Sequence, residues 1–297
     1  MTRSQMSPQE RAFRSRLAKL VHEEPLLHGT LNPRSVTCGN PGCRCARGER
    51  VALKPLRLCS GGAPDAVKLF LREMRLSARL RHPNIVSVLA LGDAGGDLWI
   101  ATELVPGENA AALRRRGLGL RDAVDIVCQV LDALGYAHGL NLVHRDVKPP
   151  NILVTGQPGA YRAKLADFGL AKSLDEAGLS GITRRGETRG TVPFMPPEQV
   201  IDCRLAKPAG DLYQAGATLY WLLTGQYVYD FEKRGPHGEP RDPFLVILED
   251  PIVPVRDRDA TIPEAMARAI ETALRREPEK RFETAAAMAS ALRRSLA

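Results

Sequence analysis

Two carboxylates and a side-chain amide stand at spacings that suit work on a phosphate. Asp146 and Asn151 lie five positions apart in VHRDVKPPN (143–151), and Asp167 opens DFG at 167–169. A carboxylate in a loop can accept the proton of a substrate hydroxyl. An amide oxygen and a second carboxylate are hard donors of the kind Mg²⁺ prefers. Lys148, two residues past Asp146, reaches a transferring phosphate as a point charge. Phosphoryl transfer asks a protein for little covalent work. It needs the nucleophile oriented and the phosphate charge neutralised. Each of these residues alone is an ordinary turn former; the ordered set carries the reading.

The elements that must position this set can be read around it. Asp146 and Asn151 fall between a helical pattern over 120–139 and a short strand, ILV, while Asp167 ends a second short strand, AKLAD. Further helical patterns occupy 209–225 and the last segment, where two helices break at Pro278. Upstream, 51–58 reads as a β-type run, CSGGAPD as a turn, and 65–80 as a helix with Val67, Phe70, Leu71, Met74 and Ala78 at helical spacing. HPNIVSVLALG and DLWIATELV read as two strands joined by a turn at Gly95-Gly96. A strand-rich part followed by a helix-rich part predicts an α+β protein of two unequal lobes, 51–105 and 106–297, preceded by a separate segment, 1–50.

Composition narrows the class. With 297 residues, 44% of them hydrophobic and 26% charged, the chain can bury a sizeable core. WLLTG and FLVIL are far shorter than a membrane span. The basic N-terminus lacks the apolar stretch of a signal peptide, and the chain ends soon after its final helix, so a cytoplasmic protein with neither anchor nor sensor domain is expected. Residues 1–50 carry +5 of the formal +8. Without a series of aromatics among the charges, a solvated face over the predicted helix 8–23 is favoured over nucleic-acid binding. Of six cysteines, Cys38, Cys43 and Cys45 crowd together, which argues against a disulfide framework. Their spacing offers three zinc ligands; a fourth has to come from His28, Cys59 or another chain.

Seven stretches now give the set a context: VALK (51–54), FLREMRLSARLRHPNIV (70–86), VHRDVKPPN, LADFGLAK (165–172), GTVPFMPPEQ (190–199), DLYQAGATLYWLLTG (211–225) and LRREPEKRF (274–282). In order and interval, they resemble the eukaryotic-like serine/threonine protein kinases of bacteria, over about residues 50–297. The resemblance implies a two-lobed kinase-like fold that transfers the γ-phosphate of ATP, with Mg²⁺, to serine or threonine hydroxyls of proteins. It implies that Lys54 grips the α- and β-phosphates with Glu73 as its partner. Asp146 is then the base and Asn151 and Asp167 the Mg²⁺ ligands, while Lys148 marks Ser/Thr specificity. Glu103 to Val105 correspond to the hinge that bonds adenine, after Thr102 at the gatekeeper position. Ala52 and Leu153 correspond to the residues that sandwich the ring, although plain core packing explains all of these positions, Thr102 and Glu103 to Val105 included, equally well. Glu198 pairs with Arg281, and Asp211 is a structural support. Arg145 beside Asp146 points to control by phosphorylation of the loop SLDEAGLSGITRRGETRGT, with Thr183 and Thr188 as the acceptors, while Thr191 corresponds to the threonine that contacts the catalytic loop itself.

One expected part is absent. The resemblance places a glycine-rich phosphate loop with its last glycine roughly seventeen residues before Lys54, where the sequence reads NPRSVT, and no G-x-G-x-x-G occurs anywhere upstream. In its place stands GTLNPRSVTCGNPGCRCARGER. With the helix before it, this resembles a small uncharacterised bacterial protein family marked by CG-x-P-x-CRCA, over about residues 8–50. The expectation is a junction: a kinase domain lacking its first two strands, joined to a fragment of that family. Ser77 also departs from the family, which places a large apolar residue there. The rival reading is a kinase-fold binding or scaffold protein with little turnover. A third makes residues 1–50 the functional part.

Overall fold

The computed structural model of the chain describes residues 51–56, 74, 76–94, 97–168, 191–202, 207–234 and 238–296. The expected helix at 8–23, the three clustered cysteines, the stretch 32–37, Glu73, most of helix 65–80, Thr183 and Thr188 lie outside the described residues. The chain divides into two units. Of the described residues, those before His82 and 86–105 belong to the first, and 82–85, 106–168 and all from 191 onward belong to the second.

In the first unit β1 (Val51–Leu56), β2 (Val88–Ala94) and β3 (Asp97–Glu103) form an antiparallel sheet in the order β1-β3-β2. The register runs Val51↔Glu103 to Leu56↔Leu98, which sets Lys54 opposite Ile100. As the central strand β3 is the most covered, and Ile100 and Ala101 are fully buried. Val51, Ala90 and Ala101 make a small core against which Leu53, Leu89 and Trp99 pack. Ser77, where the resemblance leads one to expect a large apolar residue, is buried within the helical stretch 76–79.

The strand expected over HPNIVSVLALG is corrected: it begins only at Val88, and Pro83 and Asn84 form a turn. Proline has no N–H to give a ladder. Asn84 spends its side-chain N–H groups on Gln129 Oε1 (3.1 Å) and the Ala163 carbonyl (2.9 Å), and its own carbonyl accepts from Leu165 N (2.8 Å). Ile85 then makes a single parallel bridge to Leu165. Long-range bonds thus claim residues 82–85 for the second unit, and His82 stacks on Tyr136 there at 5.2 Å.

The second unit carries a small antiparallel sheet, β4 (Glu108–Asn109), β5 (Ile152–Thr155) and β6 (Arg162–Leu165), in that order. Its helices are α1 (Ala110–Arg115), α2 (Leu120–Gly139), α3 (Pro197–Ile201), α4 (Pro208–Thr224), α5 (Pro243–Glu249), α6 (Val255–Arg258), α7 (Glu264–Ala273) and α8 (Ala285–Arg294). Their starts are written locally. Asn109, Asp242 and Thr284 accept from first-turn amides of α1, α5 and α8, and proline occupies the first turn of α3, α4 and α5. Gly225, at φ +74°, closes α4 in the left-handed conformation that a helix end favours.

From Gly210 to Tyr220 every residue of α4 is buried, so α4 is the axis of this unit, with α2 and α7 packed on it and α8 on α2. The approach of α7 is close: a Cβ on Gly216 would lie 2.8 Å from Ala273 Cβ. Cys128 of α2 lies against α8, and burial pushes its thiol up to about 11, which makes it an inert core group. A helix buried on all sides cannot leave polar side chains unpaired. Asp211 and Gln214 sit on this one, and both reach the loop that carries Asp146.

Candidate active site

The loop 143–151 ends in a tight turn at Pro149–Asn151 that feeds β5. Asn151 turns back on it: its Nδ2 donates to the Asp146 carbonyl (2.8 Å) and to Asp146 Oδ2 (3.0 Å). Lys148 Nζ lies 2.9 Å from the same Oδ2 and donates to Thr191 Oγ1 at 2.6 Å. One oxygen of Asp146 is therefore held from two sides. The other, Oδ1, is buried and has no hydrogen-bond partner among the described residues.

Asp167 reaches this loop through its neighbour. Ala166 donates its N–H to the Asn151 carbonyl (2.8 Å), and its own carbonyl accepts from His144 Nε2 (2.8 Å). Because His144 Nδ1 accepts from the Asp146 amide (3.2 Å), the ring is the Nε2–H tautomer. Its edge meets Phe168 with centroids 4.6 Å apart. Arg145 (φ 69°) and Asp167 (φ 64°) occupy the left-handed region. That costs a residue other than glycine about 1–3 kcal/mol, so surrounding bonds must hold them there.

For Arg145 those bonds come from α4. Asp211, 1% exposed, accepts from the amides of His144 (2.8 Å, Oδ2) and Arg145 (2.7 Å, Oδ1), and from His138 Nε2 (2.8 Å) at the end of α2. Gln214, one turn on, accepts from Val147 N (2.8 Å) and donates to the Arg145 carbonyl (3.0 Å) and to Gln199 Oε1 (3.1 Å). Gln199 Nε2 donates to the same carbonyl at 3.2 Å. Replacing Asp211 by asparagine puts an NH₂ group against one of these donors. The expected cost is about 1–3 kcal/mol for the donor left unsatisfied, seen as a lower urea midpoint; an unchanged midpoint would refute the support role.

The Glu198–Arg281 pair expected from the sequence is present and bidentate, Nη1 to Oε1 at 2.7 Å and Nη2 to Oε2 at 2.8 Å. Leu153 lies on β5 opposite Lys164 and Asn109. In the first unit Ala52 faces Thr102 across the β1–β3 ladder. The Glu103 amide donates to the Ser87 carbonyl (3.0 Å) and its side chain accepts from Ser87 N (2.7 Å), so that amide is committed within its own unit. Val105 follows the end of β3.

The structure thus brings Asp146, Lys148 and Asn151 into mutual contact and ties Asp167 to Asn151 through Ala166. It places Lys54, Ala52, Glu103 and Val105 in the first unit. Gln214, Gln199 and His138 were not singled out from the sequence. A signal existed for the first: in DLYQAGATLYWLLTG a polar residue stands three positions after Asp211, on the same helical face, inside an otherwise apolar run.

The protein kinase domain model matches residues 40–292. The chain is 38% identical over 248 residues to the serine/threonine-protein kinase pkn3 of Myxococcus xanthus, covering 82% of this chain and 44% of that protein. It is 36% identical to PknJ of Mycobacterium tuberculosis, with 75% and 37% covered, and 33% identical to PkaA of Streptomyces coelicolor, with 89% and 48% covered. The chain therefore spans less than half the length of these relatives. Among solved structures the PknI kinase domain of Mycobacterium tuberculosis is similar at a TM-score of 0.61 and 26% identity, over 87% of this chain and 89% of that one. No helix among the described residues is long and apolar enough to cross a membrane. The α+β architecture is that of the protein kinase fold, and the chain belongs to the protein kinase domain family.

Proposed function

We propose that this chain is a serine/threonine protein kinase that transfers the γ-phosphate of ATP to protein hydroxyls, with its phosphotransfer domain over 51–297. The observation that carries this reading is the unequal treatment of the two Asp146 oxygens. Oδ2 is fixed by Asn151 and Lys148, while Oδ1 is buried and has no partner among the described residues. A carboxylate held by one oxygen with the other spare is oriented to accept the proton of an incoming hydroxyl, and general-base help of that kind contributes about 10²–10⁴-fold. Lys148, already against Asp146, supplies positive charge where the phosphoryl group passes.

The donor set suits Mg²⁺. Asn151 spends its Nδ2 on Asp146, so its Oδ1 faces away from that carboxylate as a hard acceptor, and Ala166, the neighbour of Asp167, donates to the Asn151 carbonyl. Bound there, Mg²⁺ would neutralise phosphate charge during transfer. Lys54, with Glu73, is assigned to the phosphates, and Ala52, Glu103, Val105 and Leu153 to adenine. The family resemblance supports these roles. Thr183 and Thr188 are the proposed autophosphorylation sites, protein hydroxyls the substrates, and the cytoplasm the compartment.

A second reading has one specific observation in its favour. NPRSVT stands where the phosphate loop is expected, and several charge-assisted hydrogen bonds worth about 1.5–3 kcal/mol each are lost if nothing replaces it. A kinase-fold binding protein with little turnover follows from that loss. Residues 1–50 are then a separate segment similar to the CG-x-P-x-CRCA family. Incubation with γ-labelled ATP and Mg²⁺, followed by phosphoamino-acid analysis and site mapping, separates the two. Labelled serine or threonine that disappears on chelation supports the kinase. An unlabelled, folded protein that also leaves a generic basic protein unlabelled sinks it and favours the binding role.

A further inference from the structure

Asp146 is flanked by two peptide planes, and one buried side chain grips both. The plane before it contains the Arg145 carbonyl, which accepts from Gln214 Nε2 at 3.0 Å. The plane after it contains the Val147 N–H, which donates to Gln214 Oε1 at 2.8 Å. Peptide units are rigid and planar, so fixing both planes fixes the two backbone dihedrals of the residue between them. Gln214 is 1% exposed, and its remaining N–H goes to Gln199 Oε1 at 3.1 Å. Gln199, 5% exposed, adds a second donor to the Arg145 carbonyl at 3.2 Å. That pins the amide orientation of Gln214, since a flipped amide would present N–H to the Val147 N–H and oxygen to the Arg145 carbonyl.

We propose that Gln214, steadied by Gln199, is the positioning residue that sets the direction of the Asp146 carboxylate, and with it the rate of the phosphotransfer step. It touches no reacting atom and acts through the main chain on either side of Asp146. Its reach separates it from a general core support. Asp211 binds the amides of His144 and Arg145, ahead of Asp146, whereas Gln214 alone of the described α4 residues bonds on both sides. Gln199 also brings in α3, where the adjacent Glu198 is locked to Arg281. The loop is thereby joined to the 191–202 segment at two points, here and at Lys148–Thr191. The proposal rests on the kinase reading for its catalytic consequence, but not for its geometry.

Gln214→Met keeps the length of the side chain and removes every polar contact. The full chain carrying it is expected to lose about 10²-fold in kcat, the scale of a small misplacement of a catalytic group, with the KM for ATP unchanged. Gln199→Met, which removes the second donor to the Arg145 carbonyl and the acceptor that steadies Gln214 but leaves both Gln214 bonds to the loop, is expected to fall between it and wild type. Leu292→Ala, a core truncation in α8 remote in sequence from the loop, serves as a control for lost stability. Amide hydrogen exchange of the loop is followed alongside, and Val147 should be protected in wild type and lose that protection in Gln214→Met. The proposal is overturned if kcat drops only as far as in a Leu292→Ala protein of matching melting temperature, or if Val147 stays protected. Wild-type protein that transfers no phosphate at all defeats the kinase reading instead. The Val147 exchange then decides by itself whether Gln214 holds the loop.

Discussion

Asp146→Asn is expected to lower γ-phosphate transfer by about 10²–10⁴-fold while the protein melts as wild type does. The two halves of that expectation have separate causes. An asparagine oxygen can still meet Lys148 and Asn151 in place of Oδ2, and the oxygen it replaces on the other side has no partner among the described residues, so little structural bonding is lost. An amide cannot accept the hydroxyl proton, so on the proposed reading the chemical step loses its base. The rate of label transfer under saturating Mg·ATP, measured with a melting curve on the same sample, tests both halves. A variant that transfers at the wild-type rate removes Asp146 from the chemistry. One that has lost its melting transition shows that the carboxylate supports the fold instead.

Arg281→Ala carries the largest expected loss of stability, about 3–5 kcal/mol. The guanidinium is fully buried, and each of its five N–H groups has a place: Nε on the Arg275 carbonyl, Nη1 on Glu198 and the Ala209 carbonyl, Nη2 on Glu198 and the Arg276 carbonyl. Its plane also lies 5.0 Å from the Tyr213 ring centroid. Truncation strands the mostly buried Glu198 carboxylate and three carbonyls at once. Arg281→Lys should recover little of this, because a point charge cannot reproduce the two-pronged pairing. Urea unfolding of the three proteins gives the answer. A loss below about 1 kcal/mol, typical of an exposed ion pair, would show that the pair is peripheral to the fold.

The residues of the candidate site were more legible in the sequence than those that support it. Asp146, Lys148 and Asn151 come together because they share one short loop, so their contacts follow from chain connectivity and could be anticipated from spacing alone. The long helices at 120–139 and 208–224 were legible for a similar reason, since an uninterrupted apolar pattern and a closing Gly225 are local signals. Glu198 and Arg281 are 83 positions apart and were paired only through the family resemblance. What the pattern did not disclose was decided by packing. Gln199, Gln214 and His138 look like ordinary polar residues until α2, α3 and α4 meet at the loop. Asn84 and Ile85 read as part of a strand because they lead into the short apolar run IVSVLAL. Bonds to Gln129, Ala163 and Leu165, tens of residues away, pull them out of it.

The dependence of the loop on Asp211 also has a consequence in time. Its partners His138 and His144 are 73 and 67 positions distant along the chain, so the bonds that shape the loop close large segments and form only once α2 and α4 have docked. Contacts of such separation come late in folding, because chain entropy must be lost before they return anything. The shape of this loop is therefore expected to be set late as the chain folds and to be lost early on partial unfolding. A polypeptide with its helices formed but its core unsettled has no oriented Asp146 carboxylate to offer.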